Sequence, residues 1–507
     1  MQATLAEEIT PFQRAAIMVS VMMATTIYAL DLTVANVALP HMMGTFSSTQ
    51  DQISWVLTSY VVASAVATPC SGWLAGRFGR KRLFETSVAG FVVTSIICGT
   101  ANSLEVEVLA RLVQGMFGAF LLPLSQSIVM DIFPPEKLNK AMAIWGLGIL
   151  IGPVMGPVVG GYLTDIGSWR WVFFINIPAG LVAFIGVYLF IPQGEKDLDR
   201  SFDWTGFFAL ALALAATQTM LDRGERNDWF DSPEILIELG VALVALYVFV
   251  VHSLTTKHPF LKLHLLLDRN YSVGLVLIFA FGLMQLAPIV LLPPLLQDLR
   301  DFPITTIGIL LTPRGIGLFF AMTLAGRLLG KLDNRLVIGA GFVIVAFSTM
   351  GMASWNLEIG MWDVAWTGVA LGVGAGMIWM PLSTLTFATL PVEDRVEATS
   401  VFHLLRNMGS SIGISAALTV LARMTTENHA TLVENISPFN EMTRFGATIG
   451  QWDMSSVKGM AALDSEVMRQ ATMIGYVDSF YLFMWTTLAA VPLVLLLGSP
   501  KPEPVAE

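Results

Sequence analysis

Charge and cysteine are what this chain has least of. Asp, Glu, Lys and Arg make up 13 % of its 507 residues, where soluble domains carry about 25 %. That is too little polar material to cover a water-soluble surface of this length. Two cysteines, Cys70 and Cys98, give neither a disulfide framework nor a metal-ligand spacing. Six histidines are scattered along the chain, which removes the His, Cys or paired-carboxylate clusters that a zinc site or a hydrolytic centre needs. No Gly-x-x-x-x-Gly-Lys-Ser/Thr loop occurs, so direct drive by ATP is not expected. The formal charge of −10 sits mostly in loops and gives no footing for a nucleic-acid partner. What fills the chain instead is apolar: 55 % hydrophobic residues and a mean hydropathy of +0.68.

A membrane span needs about 20 mostly apolar residues. Fourteen stretches qualify: 14–36, 52–75, 83–101, 105–128, 140–163, 170–191, 204–221, 234–254, 272–296, 304–329, 335–354, 363–388, 399–422 and 475–497. The expected fold class is therefore an all-α, multi-pass protein embedded in a lipid bilayer. The first stretch reads as a span and not a cleaved signal peptide: it is too long, only Arg14 precedes it as a cation, and it runs into Asp31. With the N-terminus cytoplasmic, that side collects seventeen Lys and Arg residues, while the short loops opposite hold Arg170, Arg223, Arg226 and Arg300. Positive residues favour the inside, which puts both termini in the cytoplasm. The segment 423–474 is then a long external loop.

The chain repeats itself. Leu74-Ala-Gly-Arg77 returns as Leu324-Ala-Gly-Arg327, 250 residues on, and Pro123-Leu-Ser125 returns as Pro381-Leu-Ser383, 258 residues on. Gly118 and Gly376 each lie five residues before the proline. Two matches at nearly one offset predict homologous six-helix halves with two helices inserted between them, a 6+2+6 arrangement. The expected organisation is an N-terminal six-helix bundle over 1–192 and a linker with two inserted helices over 193–270. A C-terminal six-helix bundle over 271–497, including the loop 423–474, is followed by a cytoplasmic tail, 498–507. Parallel six-helix repeats are the transporter arrangement in which substrate binds between halves near mid-bilayer.

Three motifs follow from the residues. Gly148, Gly152, Gly156 and Gly160 recur every four residues and end at Gly161, leaving a side-chain-free stripe on one helix face where a neighbour can approach closely. Pro153 and Pro157 within it each remove a backbone donor, so that helix is expected to bend. Gly72-Trp-Leu-Ala-Gly-Arg77-Phe-Gly79-Arg80-Lys81 links the second and third spans, and Arg111-Leu-Val-Gln114-Gly115-Met-Phe-Gly118 lies in the fourth. The set resembles the major facilitator superfamily, with the glycine stripe similar to its antiporter motif. The second-to-third loop departs from the pattern at one point, with Gly76 where an aspartate is usual. Leu30-Asp31-Leu-Thr33-Val-Ala-Asn36-Val-Ala-Leu-Pro40 and Trp169-Arg170-Trp171-Val-Phe173-Phe174-Ile-Asn176-Ile-Pro178 resemble the fourteen-span drug:proton antiporter branch. Leu221 to Phe230 and His429 to Asn440 resemble its EmrB-type permeases.

That resemblance implies a secondary active transporter and not an enzyme. It implies proton-coupled export of hydrophobic drugs or toxic compounds by alternating access across a bacterial inner membrane. The energy source is the proton gradient, and no cofactor is implied. It further implies a periplasmic membrane-fusion adaptor and an outer-membrane channel as partners. The loop 423–474 would dock the adaptor or serve as a flexible lid. Export of one dedicated metabolite (a fatty acid, siderophore or antibiotic) is the alternative.

Charges inside spans are costly and face a cavity or a partner. Asp31 and Arg111 both sit roughly 8–9 Å from the outer ends of their spans, at 1.5 Å per residue, so contact between them is possible. Asp31, Arg111, Gln114 and Arg406 are the candidates for proton coupling. The alternatives are a static ion pair for the first two and snorkelling to the cytoplasmic surface for Arg406. His403 reads as a solvated interfacial histidine, and Arg314 carries no assigned role. Methionine and aromatic side chains suit an adaptable apolar pocket, with Met23, Tyr28, Gln126, Met284, Gln285, Trp379 and Met380 as the substrate candidates.

Overall fold

The computed structural model describes residues 9–193, 201–328, 332–434 and 456–498, with positions 436 and 452. Every long element is a helix, because a backbone without water must satisfy its own hydrogen bonds. In chain order they are α1 Pro11–Phe46, α2 Gln52–Phe78, α3 Arg80–Thr100, α4 Leu104–Ile132, α5 Pro135–Ile166, α6 Trp171–Phe190 and α7 Trp204–Arg223. There follow α8 Pro233–Thr255, α9 Arg269–Asp298, α10 Ile304–Leu328, α11 Asn334–Ala353, α12 Met361–Phe387, α13 Arg395–Glu434 and α14 Val457–Val494. Short polar caps set the starts. Thr10 and Thr49 close capping boxes with Gln13 and Gln52, and Ser103, Asp203, Asp268 and Asp333 cap α4, α7, α9 and α11. Thirteen of the described helices are long and apolar enough to cross a membrane. The other, α5, is 32 residues long, and its described apolar stretch is Lys140–Ile149.

The packing repeats as the sequence does. In the first six helices α1 packs on α5 and α6, α2 on α4, and α3 on α4 and α6. Eight helices later α9 packs on α13 and α14, α10 on α12, and α11 on α12 and α14. The repeated glycines do equivalent work. Gly118 on α4 faces Tyr60 on α2, and Gly376 on α12 faces Leu318 and Ala321 on α10. The two groups meet where α5 packs on α10 and where α13 packs on α2 and α4. The inserted pair α7–α8 sits against both. Asp222 accepts a hydrogen bond from Thr58 of α2, Ser415 of α13 donates to Leu221 O at 2.8 Å, and Trp229 Nε1 donates to Thr419 Oγ1 of α13 at 2.9 Å. At the other end of this hairpin, burial pushes the Asp203 carboxyl up. Hydrogen bonds from Gly206, His252 and Phe260 more than offset it and hold the group below its ordinary range.

The glycine stripe faces α1. A Cβ on Gly152 would stand 2.5 Å from the Ala29 carbonyl carbon, one on Gly156 would collide with Thr33 Oγ1, and one on Gly160 would lie 3.2 Å from Val34 O. The contact is polar as well as close: Thr26 and Thr33 donate to the carbonyls of Gly148 and Gly152 at 3.1 and 3.3 Å. Gly161 is buried beside them. Both prolines lie inside a single helix, and the side chains of Pro153 and Pro157 lie outside the described residues.

The expected external loop is largely helix. α13 runs 12 residues past its expected end at 422, to Glu434, and α14 starts at Val457, 18 residues before its expected start at 475. At about 1.5 Å per residue these helices are about 57–60 Å long, twice a hydrocarbon core of about 30 Å. His429 and Asp464 pair across them at 3.0 Å. The segment 437–451 lies outside the described residues.

Leu at position 152 or 156 forces α1 and α5 apart, since small-residue contacts rest on van der Waals approach. Gly152→Leu and Gly156→Leu are expected to cut transport at least tenfold with membrane insertion retained. Normal transport by both would mean that this contact does not shape the working cycle.

Candidate functional site

The largest concentration of buried polarity lies between α1, α3, α4 and the start of α6. Asp31 is 1 % exposed and Arg111 is fully buried. Arg111 Nη1 donates to Asp31 Oδ2 at 2.5 Å and to Gln114 Oε1 at 2.7 Å. Its Nε donates to Val56 O at 3.2 Å, and its Cζ stands 4.2 Å from the centre of the Tyr60 ring. The other carboxylate oxygen, Asp31 Oδ1, accepts from Asn176 Nδ2 at 2.9 Å and from Gln114 Nε2 at 3.4 Å. Ser95 accepts from both of those amides, at 3.2 and 2.6 Å. The Asp31–Arg111 contact is present, and Gln114 belongs to it. A guanidinium stays charged, so the group in this set able to change charge is the carboxylate.

A second cluster lies where α4, α5, α12 and α13 meet. His403 Nε2 stands 2.6 Å from Gln126 Oε1 across α13 and α4, and the imidazole packs between Trp145 and Trp379 at 6.4 and 6.1 Å. His403 is 1 % exposed, which corrects the reading of it as a solvated interfacial residue: Gln126 and two indoles cover it. Arg406, 7 % exposed, does not snorkel. Its guanidinium lies 5.3 Å from the Trp379 ring centre and donates to the neighbouring Asn407 at 2.8 Å. Arg314, 9 % exposed, donates to Gln285 O at 2.6 Å. Neither cation has a carboxylate partner among the described residues. Several further donors are buried without any partner: Arg314 Nη1, Gln126 Nε2, Trp145 Nε1 and Trp379 Nε1. Of the other substrate candidates, Tyr28, Met284 and Met380 are buried, with Tyr28 against Ser64 at 3.4 Å and Met284 Sδ 3.1 Å from Thr487. Met23 differs from them, being 37 % exposed on α1.

A third cluster joins the N-terminal ends of α3 and α13 to the C-terminal end of α4. Asp131 accepts from Arg80 and, at 3.2 Å, from Arg395. Gly79 holds φ 89°, a left-handed conformation that favours glycine, and turns the chain from α2 into Arg80. Gly72 lets α13 approach: a Cβ there would lie 2.9 Å from Glu397 Cβ. Lys262 extends the link, donating to Asp394 at 2.5 Å through Nζ and to Glu397 at 2.6 Å through its backbone N. Charge thus connects the two groups of helices even though Gly76 brings none. Arg77, also part of this loop, is engaged in contacts of its own.

Residues 21–414 match the family model of the Major Facilitator Superfamily. The chain belongs to that superfamily. The Multidrug export protein EmrB of Haemophilus influenzae is 33 % identical over 503 residues, 98 % of each chain. The Escherichia coli protein of that name is 35 % identical over 83 % of each chain. The Fatty acid resistance protein FarB of Neisseria gonorrhoeae is 33 % identical over 94 % of this chain and 95 % of its own. Among solved structures, the human organic anion transporter MFSD10 (TETRAN) covers 94 % of this chain at a TM-score of 0.59 and 13 % identity, a likeness of fold alone. This major facilitator protein is a multi-pass membrane transporter and not an enzyme.

Sequence reasoning missed several residues of these clusters. Asn176 stands in a quoted motif without a role, although an amide inside a span is itself a signal. Arg395 reads as an ordinary cytoplasmic charge and Asp131 carries no reading, and nothing in the sequence pairs residues 264 positions apart.

Removing one partner of a buried ion pair costs about 3–5 kcal/mol because the other charge is left behind. Asp31→Asn is therefore expected to lower thermal stability, and Asp31→Asn with Arg111→Gln to recover much of the loss. A double variant no more stable than the single one would show that Arg111 does not depend on Asp31.

Proposed function

We propose that this protein exports hydrophobic, toxic compounds across the bacterial inner membrane in exchange for protons, both termini lying in the cytoplasm. The observation that carries the reading is Asp31: a carboxylate in the membrane interior, closed from solvent and held by a guanidinium and two amides. Protonating it releases Arg111 from its one ion-pair partner, so proton binding is tied to a rearrangement of α1 against α4. The α1–α5 contact along the glycine stripe then transmits the change, and the Arg80–Asp131–Arg395 link opens and closes on the cytoplasmic face. The names of the EmrB relatives support drug export.

The central cluster favours one class of substrate. Arg406, without a carboxylate partner among the described residues, and several unpartnered donors among Trp145, Trp379, Phe281 and Phe402 suit an apolar body with an anionic or acceptor-rich end. The FarB relative, named for fatty acid resistance, agrees with that chemistry. A dedicated exporter of one such metabolite is the second reading. Susceptibility of an efflux-deficient host to chemically unrelated toxins separates the two.

In proteoliposomes under an imposed pH gradient, 8-anilino-1-naphthalenesulfonate should be accumulated. Its uncharged analogue N-phenyl-1-naphthylamine should be handled far less well. Arg406→Gln is expected to lower the sulfonate's apparent affinity about tenfold or more, the worth of one charge-assisted hydrogen bond. Equal handling of both probes by wild type would rule out an anion-selective centre. Accumulation of either probe by Asp31→Asn would rule out Asp31 as the coupling carboxylate.

The extended α13–α14 pair suits docking to a periplasmic membrane-fusion adaptor, itself coupled to an outer-membrane channel, as relatives of the EmrB type imply. Deleting roughly 430–465, which takes the facing ends of both helices, is expected to abolish adaptor co-purification and resistance in cells while transport in adaptor-free liposomes persists. Retained co-purification would place the docking surface elsewhere.

A further inference from the structure

Glu107 is a second buried carboxyl that the Asp31 centre does not explain. It lies in the first turn of α4, where a helix N-terminus favours negative charge, yet it is fully buried, neither carboxyl oxygen accepts from an N–H or O–H group, and the Cys98 thiol, a weak donor, is what faces it. It stands four residues before Arg111, on the same face of the helix and one turn nearer the outer end. The charged or titratable groups facing it are Arg111 on its own helix, Cys98 on α3, Asp31 on α1 and Arg170 in the connector before α6. Arg170 is committed to the carbonyls of Gly99 and Ala101, at 3.1 and 2.6 Å. The charge of one guanidinium, Arg111, therefore reaches two buried carboxyls. Arg111 is bonded to Asp31, which accepts hydrogen bonds from three side chains, while Glu107 accepts none from an N–H or O–H group. Burying two carboxylates against one cation leaves a net charge in a water-poor site, and the less costly state binds one proton on the carboxyl without N–H or O–H partners.

We infer that Glu107 is a proton-binding site of this transporter, lying outward of Asp31, and that Arg111 exchanges partners between the two carboxyls. The inference rests on the proton-coupled reading above. An external hydronium protonates Glu107 and leaves water. The O–H bond at Glu107 then breaks as one forms at Asp31, Glu107 becomes the carboxylate, and Arg111 moves one helical turn to pair with it. Before and after the transfer the set holds one guanidinium, one carboxylate and one carboxylic acid, so no net charge appears in the bundle. When Asp31 gives its proton to the inner side, Arg111 returns to it and Glu107 is protonated again from outside.

The test uses the full chain in liposomes, with wild type, Glu107→Gln and Glu107→Asp, and 8-anilino-1-naphthalenesulfonate as the probe. Infrared pH titration reads protonated carboxyls directly. Glu107→Gln should remove one component of the wild-type carboxylic-acid band. Gradient-driven accumulation should fall at least tenfold, while probe binding and downhill counterflow persist. Glu107→Asp should keep accumulation with a displaced pH profile, which a merely structural role would not move. An unchanged band and unchanged accumulation in Glu107→Gln would overturn the inference. Should that variant not assemble, Glu107→Asp decides: a displaced pH profile supports the site and a wild-type profile overturns it. Failure of wild type itself to respond to a pH gradient would instead overturn the coupling reading, with the Glu107 band still reporting whether that carboxyl titrates.

Discussion

A guanidinium and a carboxylate enclosed among apolar helices constrain everything else in this molecule. Asp31 and Arg111 can stay charged there because each neutralises the other and because Gln114, Asn176 and the Val56 carbonyl occupy the remaining donors and acceptors. The pair therefore dictates the arrangement around it. α1 and α4 must be adjacent, α6 must begin with an amide at the right height, and Tyr60 must turn its face to the cation. Such a network keeps its ion pair while Asp31 is the carboxylate and loses it when Asp31 is protonated. That is the property a coupled transporter requires of its ion site.

Close backbone contact supplies the second constraint. Lipid gives helices no hydrophobic reason to associate, so approach distance decides which pairs hold. α5 meets α1 through glycine, α4 meets α2 through Gly115, where a Cβ would collide with the Tyr60 carbonyl oxygen, and α12 meets α10 through Gly376. At these points backbone approaches backbone closely. One end of the two groups of helices is tied by the α7–α8 hairpin and the other by Asp131 with its two arginines.

Much of this was legible in the chain. Charge is so rare in the apolar runs that Asp31 and Arg111 stand out, and their equal depth allows their contact. The glycine spacing of four predicts a close helix contact, and the internal repeat predicts the duplicated packing. Three features were not legible, each for a physical reason. His403 reads as interfacial because its cover, Gln126, lies 277 residues away. The helices α13 and α14 read as ending where polarity rises, but polarity marks the exit from lipid and not the end of a helix. Glu107 stands near a span end with nothing in the sequence to single it out, and only the packed structure shows that the surrounding helices close over it.

If export is coupled to protons through the Asp31 centre, substrate binding displaces a proton from the protein. Proton release by the purified protein in weakly buffered detergent, on addition of 8-anilino-1-naphthalenesulfonate, tests it most directly. Release in fixed ratio to bound probe, absent from Asp31→Asn that still binds the probe, is the predicted result. Probe binding by the wild-type protein with no proton released at any pH would contradict the account.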